Sequence, residues 1–195
     1  AQSGSVVIVA GSATPVTKKQ LGHLIAHADR VCHIPVDAEL LVDRKNAAGI
    51  EIDRIVRQAQ KCVTEHKNAL FVFESALTGR LLDLREEEQR FNLDHGQAAE
   101  NINKGLGSIV KEILNSAPEE IKGLYMTGGD TMVSVLKELG ATGVEMIDYV
   151  IPQTDMVRII GGEYAGLVCV GKGGLTGPED ILSTIVEYIY KESLQ

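Results

Sequence analysis

Residues 5–15 read SVVIVAGSATP and combine, in order, three signals of an α/β unit. Residues 5–11 are largely apolar and rich in β-branched side chains up to the glycine, which is typical of a strand buried on both faces. Thr14 is a good helix N-cap, and Pro15 suits the first helical position. The pattern predicts a buried strand, a tight loop, and a helix that runs to about residue 27.

The alternation of strands and helices continues through the first two-thirds of the chain. Strands are predicted at 31–36, 69–73 and 123–127, and helices at about 47–66, 97–116 and 131–139. The helix at 97–116 is expected to be interrupted at Gly105 and Gly107, because glycine is a poor helix former. The charge run at 85–90 is expected to be a solvated helix face or a mobile loop.

The last third of the chain has a different pattern. Strands are predicted at 144–151, 156–160 and 167–170 with short links and no helices between them, and a final helix at about 178–191. Alternation followed by clustered strands predicts an α/β fold, a three-layer α/β/α domain with a mainly parallel mixed sheet. We expect residues 1–195 to form a single domain.

Composition excludes several classes of function. The net charge of −8 over 195 residues argues against a nucleic-acid-binding surface, which needs a basic face. There is no run of eighteen apolar residues and no signal-peptide pattern at the start, so a cytoplasmic protein that contacts no membrane is expected. Cys32, Cys62 and Cys169 are scattered and odd in number, which argues against a disulfide framework and favours a reducing compartment.

Three segments follow predicted strands and are rich in glycine. They are residues 11–14 (GSAT), 127–131 (TGGDT) and 171–177 (GKGGLTG). In open α/β sheets ligands bind beyond the carboxyl ends of the strands, where glycines admit a phosphate and helix N-termini attract it. Tight turns and helix caps require the same residue types. None of the loops is a Walker A or a dinucleotide fingerprint, so the residues alone predict a small anionic ligand.

Single residues within these loops admit two roles each. Asp130 could orient a magnesium-bound phosphate or cap a helix that begins at Thr131, and taken alone it slightly favours the cap. Lys172 could pair with a phosphate or be a surface lysine, and its flanking glycines favour the phosphate. Ser12 could donate its hydroxyl to a nucleotide or cap the turn. His23 and His27 are four apart on a helix but lack a third ligand, so no metal site is expected in the protein itself.

Longer motifs resemble one known family. Residues 11–20 (GSATPVTKKQ) resemble the opening of the C-terminal domain of the four-carbon acid sugar kinases, and TGGDT at 127–131 resembles that family's most characteristic motif. The downstream segments 160–162 (IGG), 166–168 (GLV), 172–174 (KGG) and 178–182 (PEDIL) follow in the family's order. The resemblance spans residues 5–190 and identifies the chain as the family's nucleotide-binding half.

The resemblance implies ATP and Mg²⁺ as cofactors, and a phosphoryl transfer to threonate, erythronate or a related 3-oxo acid. By position it implies nucleotide contacts at Ser12, Thr127, Gly128, Gly129, Asp130 and Gly171, to which the physical argument adds Lys172, Gly173 and Gly174. In the family the N-terminal domain binds the acid sugar and supplies the catalytic acidic residues. The chain starts where the second domain starts, so we expect either a fragment or a relative that needs a partner, inactive alone.

A second hypothesis is a non-catalytic module that binds a phosphorylated metabolite or a protein partner. It is favoured by the missing half and by residues 173–177 (GGLTG), which depart from the family's usual pattern. A nicotinamide-dependent oxidoreductase is disfavoured because its fingerprint is absent. The expected partners are therefore a nucleotide and, through another domain, an acid sugar; the sequence is also compatible with a homo-oligomer.

Overall fold

A computed structural model describes residues 4–11, 13–65, 69–75, 77 and 81–194. Within these residues the strands are β1 Ser5–Ala10, β2 Val31–Pro35, β3 Leu70–Glu74, β4 Ile121–Thr127, β5 Gly143–Ile151, β6 Thr154–Ile160 and β7 Val168–Lys172. The helices are α1 Pro15–His27, α2 Ala38–Val42, α3 Ala48–Glu65, α4 Leu84–Arg90, α5 Gln97–Ser116, α6 Gly129–Glu138 and α7 Ile181–Glu192. Thr14 caps α1 by accepting from Thr17 N–H, and Pro15 is its first residue, as predicted.

The strands form one mixed sheet in the order β2-β3-β1-β4-β7-β6-β5. The five strands from β2 to β7 in this order are parallel, while β6 and β5 are antiparallel to their neighbours. This confirms the predicted α/β fold with a mainly parallel mixed sheet. The strand of residues 5–10 lies between β3 and β4 and is fully buried, because helices cover both of its faces.

Alternate side chains of β1 enter two separate apolar cores. Val6 and Ile8 face the core that includes Leu21 of α1 and Ile185 of α7. Val7 and Val9 face the other core, to which α3, α5 and α6 contribute Ile55, Leu106, Ile109, Val110 and Val135. The two cores, one on each face of the sheet, produce the predicted three-layer arrangement.

The predicted interruption of the helix at 97–116 is wrong, since α5 runs unbroken from Gln97 to Ser116. Its two internal glycines allow neighbouring helices to pack closely. A Cβ added at Gly105 would lie 2.8 Å from Cδ2 of Leu41 on α2, and one at Gly107 would lie 2.7 Å from Cγ of Glu138 on α6. Tertiary packing therefore offsets the weak helix propensity of glycine.

The charge run at 85–90 forms most of α4, capped by Asp83, and two of its carboxylates are buried. Glu88 accepts a hydrogen bond from Gly96 N–H at 2.7 Å, so this side of α4 fixes the start of α5. The expectation of a solvated face holds only for the opposite side. The short helix α2, with Asp37 as its N-cap, was not predicted from the sequence.

The inference from the scattered cysteines, against a disulfide framework and for a reducing compartment, missed one bond. Cys32 on β2 and Cys62 on α3 form a disulfide, with their Cα atoms 6.2 Å apart. The pairing arises because β2 and α3 pack together at the edge of the sheet, which sequence spacing does not reveal. Cys169 is a buried free thiol whose pKa is raised by burial. In the described part of the chain, no helix is long and apolar enough to cross a membrane.

Candidate functional site

The carboxyl ends of β1 and β4 lie side by side at a topological switch point. Ala10 at the end of β1 is in register with Thr127 at the end of β4. The chain leaves β1 through α1 towards β2, and leaves β4 through α6 towards β5, which lies at the opposite edge of the sheet. Because the two helices pack on opposite faces, a crevice opens between them, the usual position of ligands in open α/β sheets.

Hydrogen bonds join the three glycine-rich loops at this edge. Gly11 N–H donates to Thr127 O at 3.3 Å, and Gly128 N–H donates to Lys172 O at 3.2 Å. The loops after β1, β4 and β7 therefore meet, as the sequence predicted for segments that follow parallel strands. Ser12, a predicted nucleotide contact, lies outside the described residues.

The loop after β4 exposes the amino end of α6. Gly128 has a φ of 101°, a conformation that side chains disfavour, and the helix starts at the next residue. The N–H of Met132 donates to Gly128 O at 3.0 Å and makes the first hydrogen bond of the helix. The N–H groups of Gly129, Asp130 and Thr131 come before it and have no acceptor within the helix. A Cβ added at Gly129 would meet nothing within 4 Å, which leaves this end open to an anion.

The structure assigns Asp130 a position other than the predicted cap. Helix α6 begins at Gly129 with Gly128 as its N-cap, and no side chain caps it. Asp130 is the second helical residue and is exposed. The capping role is therefore wrong, because the helix starts two residues earlier than Thr131. Its carboxylate makes no capping hydrogen bond to α6 and remains available beside the open amino end of the helix.

Two of the glycines are required for packing against α6. A Cβ added at Gly11 would collide with Oγ1 of Thr131, and one added at Gly171 would collide with Sδ of Met132. The absence of these side chains lets the first turn of α6 sit directly on the ends of β1 and β7. Thr131 Oγ1 in turn donates to Asn103 Oδ1 on α5 at 2.8 Å, which fixes this turn from the other side.

Lys172 is a buried lysine, with only 4% of its surface exposed. Its Nζ donates to the carbonyl oxygens of Gly173 and Thr176, at 2.6 and 2.9 Å. The alternative of a surface lysine is wrong, because β7 is covered at its end by the loop that follows it. No carboxylate in the described ranges forms an ion pair with Lys172, and burial lowers the pKa of its ammonium group.

The neighbours of Lys172 in the sheet are also polar and buried. Thr127 on β4 and Thr154 on β6 are in register with it on either side, and both are fully buried. A buried cation surrounded by neutral oxygens lacks the counter-charge that usually accompanies it. A buried, pKa-shifted group at a cleft is a marker of a functional site, and here the missing charge is negative.

Two side chains of α1 and that of its N-cap, Thr14, hold the loop after β7. Nε2 of Gln20 lies within hydrogen-bond distance of the carbonyl oxygens of Thr176, Gly177 and Pro178, at 2.9, 3.0 and 3.0 Å, and shares its two N–H donors among them. Hydroxyls of Thr14 and Thr17 donate to Gly174 O, at 2.5 and 3.2 Å. Sequence reasoning missed this role, although the T-x-x-T-x-x-Q spacing at 14–20 places the three side chains on one helix face.

These bonds determine which groups of the loop remain available. The carbonyls of residues 173, 174 and 176–178 turn towards α1 and Lys172. The N–H groups of Gly174 and Leu175 have no acceptor among the described residues. Backbone amides without an acceptor form anion-binding concavities. The loop after β7 therefore supplies N–H donors next to those at the amino end of α6.

Residues 7–182 match the protein family described as the nucleotide-binding C-terminal domain. The chain belongs to this family. A D-erythronate kinase of Heliobacterium modesticaldum is 34% identical to this nucleotide-binding domain over 185 residues, which is 94% of the chain and 41% of the relative. A D-threonate kinase of Salmonella typhimurium is 27% identical over 185 residues, 94% of the chain and 42% of the relative.

These matches confirm the resemblance to four-carbon acid sugar kinases, and the nucleotide-binding domain spans about two-fifths of the length of the curated relatives named above. Two crystal structures share its fold. A domain of unknown function from Bordetella bronchiseptica, a domain-swapped dimer with bound citrate, gives a TM-score of 0.71 at 24% identity over 96% of this chain and 41% of that one. A Haemophilus influenzae protein gives 0.63 at 18% identity over 98% and 40%.

Proposed function

We propose that the chain binds ATP with Mg²⁺ as the nucleotide-binding half of a kinase that phosphorylates a four-carbon acid sugar of the threonate, erythronate or 3-oxo-tetronate type. The names of the relatives support the reaction and the substrate class. The observation that carries the proposal is the buried ammonium of Lys172, which lacks a carboxylate partner among the described residues and lies at the end of β7 beside the open amino end of α6. A nucleotide phosphate supplies the missing negative charge.

The proposed contacts divide by chemistry. Amides of Gly129 and Asp130, with the positive end of α6, face the phosphates from β4, and Gly128, whose own N–H donates to Lys172 O, forms the turn that exposes them. The amide of Gly174 faces them from β7, where Gly173 shapes the loop with its own N–H donated to Gln153 O, and Lys172 adds a full charge. Ser12, Thr127 and Gly171 complete the proposed set: Thr127 and Gly171 are buried and shape the floor of the site.

Asp130 is the proposed protein contact of the magnesium ion. Mg²⁺ typically keeps several waters and is held by one or two carboxylates together with substrate phosphates. In the ranges that the structure describes, no three histidine, cysteine or acidic side chains gather into a metal-binding group. One exposed carboxylate next to a phosphate loop fits an ion that arrives with the nucleotide.

Phosphoryl transfer needs positioning and charge neutralisation more than covalent chemistry from the protein. The described residues orient the phosphates and offset their charge, while the acid sugar and the acidic residues that activate its hydroxyl belong to another domain of the proposed kinase. We therefore expect nucleotide binding without turnover from this chain alone. The cytoplasm, where ATP is available, is the proposed location; the cysteines no longer support it, because Cys32 and Cys62 form a disulfide, which is uncommon in a reducing compartment.

Isothermal titration with MgATP and with Mg²⁺-free ATP tests the proposal. Asp130→Asn should weaken MgATP binding about ten-fold and leave Mg²⁺-free ATP unchanged or bound more tightly, since a like charge is removed. Asp53→Asn, at an exposed carboxylate on α3, is the matched control and should change neither. No heat at millimolar MgATP would contradict ATP binding, and a clear preference for a phosphorylated metabolite would favour the non-catalytic module.

A further inference from the structure

A cavity of 190 Å³ opens beside Gly11, at the carboxyl end of β1. Its walls are mainly apolar and come from the segment before α4 and from α2, α4 and α5: Ala38, Leu81, Leu82, Leu84 and Ile102. Two of these leucines are unusually open to solvent, with Leu81 77% and Leu84 37% exposed. Exposed leucines around a concave apolar surface are typical of a ligand-binding groove.

A hydrogen bond connects this cavity to the phosphate loop after β4. Asn103 lines the cavity, and its Oδ1 accepts from Oγ1 of Thr131 at 2.8 Å. Because the oxygen of the amide is occupied in this way, its NH₂ group is the part left to donate to a ligand. Gly11 lines the same cavity and packs against Thr131. The side chain of Thr131 therefore lies between the apolar cavity and the amino end of α6.

We propose that this cavity receives the heterocyclic base of the nucleotide, an assignment that rests on the proposed function. A flat base offers two apolar faces to the leucines and ring nitrogens that accept from the amide of Asn103. The volume lies below the range of about 300–1,000 Å³ for drug-sized ligands, which suits a single ring system. Lys18 also lines the cavity, so the site proposed for the base includes one cationic side chain.

Two other assignments fit the observations less well. An acid sugar carries several hydroxyls, which would lose their hydrogen bonds to water against apolar walls. The groove between α5 and α6 also reaches Asp130, but charged side chains line it: Glu100, Lys104, Lys137 and Glu138. A base placed there would have to displace solvated charges, whereas the cavity beside Gly11 offers apolar surface already formed.

The test compares ATP with inorganic tripolyphosphate, which carries the phosphates without the base. Leu84→Gln removes part of the apolar wall at an exposed position, and Ala38→Leu fills the cavity from the opposite wall. Each should weaken ATP binding about ten-fold and change tripolyphosphate binding less than about two-fold. Val133→Gln makes a matched change at an exposed apolar residue of the α5–α6 groove and should leave both affinities unchanged.

Each alternative result has a distinct meaning. ATP binding that survives both Leu84→Gln and Ala38→Leu overturns the base pocket alone. Equal losses of ATP and tripolyphosphate also overturn it, since the two variants would then act on the phosphate loops. A loss of ATP binding in Val133→Gln places the base in the α5–α6 groove. If the unmodified protein binds neither ligand, the proposed function and the base pocket both fall.

Discussion

Lys172 combines a positive charge with almost complete burial, and this makes it the residue on which the proposed site depends most. Replacing it by Met should lower MgATP affinity at least ten-fold, because the charge opposite the phosphates disappears. The free energy of unfolding should change by no more than about 1 kcal/mol, since removing an unpaired buried charge offsets the loss of two hydrogen bonds. Titration calorimetry and urea unfolding measure the two quantities separately.

The pH dependence of binding separates a charge from a merely structural role. Burial lowers the pKa of Lys172 below its ordinary value in the free protein, and a bound phosphate raises it again. Binding of MgATP should therefore weaken as the pH rises through the lowered pKa, and this slope should vanish in Lys172→Met. The exposed Lys191→Met serves as the control and should retain the slope. A slope that persists without Lys172 would contradict its role.

The same shift affects the stability of the free protein. The unfolded chain keeps the ordinary, higher pKa, so between the two pKa values the unfolded state binds more protons than the folded state. Stability should then rise with pH across that window, relative to Lys172→Met. Below the lowered pKa, the unfavourable burial of the charge is fully present.

At the scale of elements, α1 acts on the site through the loop that it holds. Gln20→Leu preserves the shape of the side chain but removes the donor to three carbonyls of residues 176–178. We expect a loss of about 1–3 kcal/mol in stability and a weaker MgATP complex, since the loop loses its fixed orientation. Amide hydrogen exchange should show faster exchange in residues 173–178 of the variant.

Gln60→Leu on α3 is the control for this prediction, because Gln60 is exposed. It should change neither the stability nor the exchange of the loop. If Gln20→Leu loses stability but binds MgATP with unchanged affinity, then α1 supports the fold without orienting the loop for the nucleotide.

Two substitutions of helical glycines should change the free energy of unfolding in opposite directions, because the space around the two glycines differs. Gly105→Ala on α5 would place a Cβ 2.8 Å from the buried Leu41, and we expect a loss of about 1–3 kcal/mol from overpacking. Gly22→Ala on α1 meets nothing within 4 Å and should stabilise by about 0.5–1 kcal/mol through helix propensity. Urea unfolding of both variants measures the difference, and stabilisation of both would show that α2 and α5 can separate without loss.

For the whole molecule, the Cys32–Cys62 disulfide ties the edge strand β2 to α3 across 30 residues of sequence. Reduction should lower the free energy of unfolding by about 3 kcal/mol, because the unfolded chain regains conformational freedom. The double variant Cys32→Ala, Cys62→Ala should be insensitive to reductant in the same unfolding experiment. Three free thiols in protein unfolded without reductant would contradict the bond, whereas one, that of Cys169, is expected.

Much of the fold follows from local patterns in the chain. Apolar runs such as residues 5–10 predict buried strands, because only a strand covered on both faces has no polar side. Thr14 and Pro15 predict the start of α1, since caps depend on neighbouring residues alone. The loop positions also follow, because parallel strands place their carboxyl ends at one edge.

Contacts between distant parts of the chain decided the rest. Gln20 donates to carbonyls that lie 156 to 158 positions further along the chain. The loop that it holds in this way also supplies the Thr176 carbonyl that accepts from Lys172. The continuity of α5, the disulfide and the helical position of Asp130 likewise depend on what packs against them. The sequence alone predicted glycine loops for an anion at the end of SVVIVAG. Only the tertiary structure shows that Lys172, at the end of β7, is buried without a described carboxylate partner, because burial is a property of the packed chain and not of any segment of it.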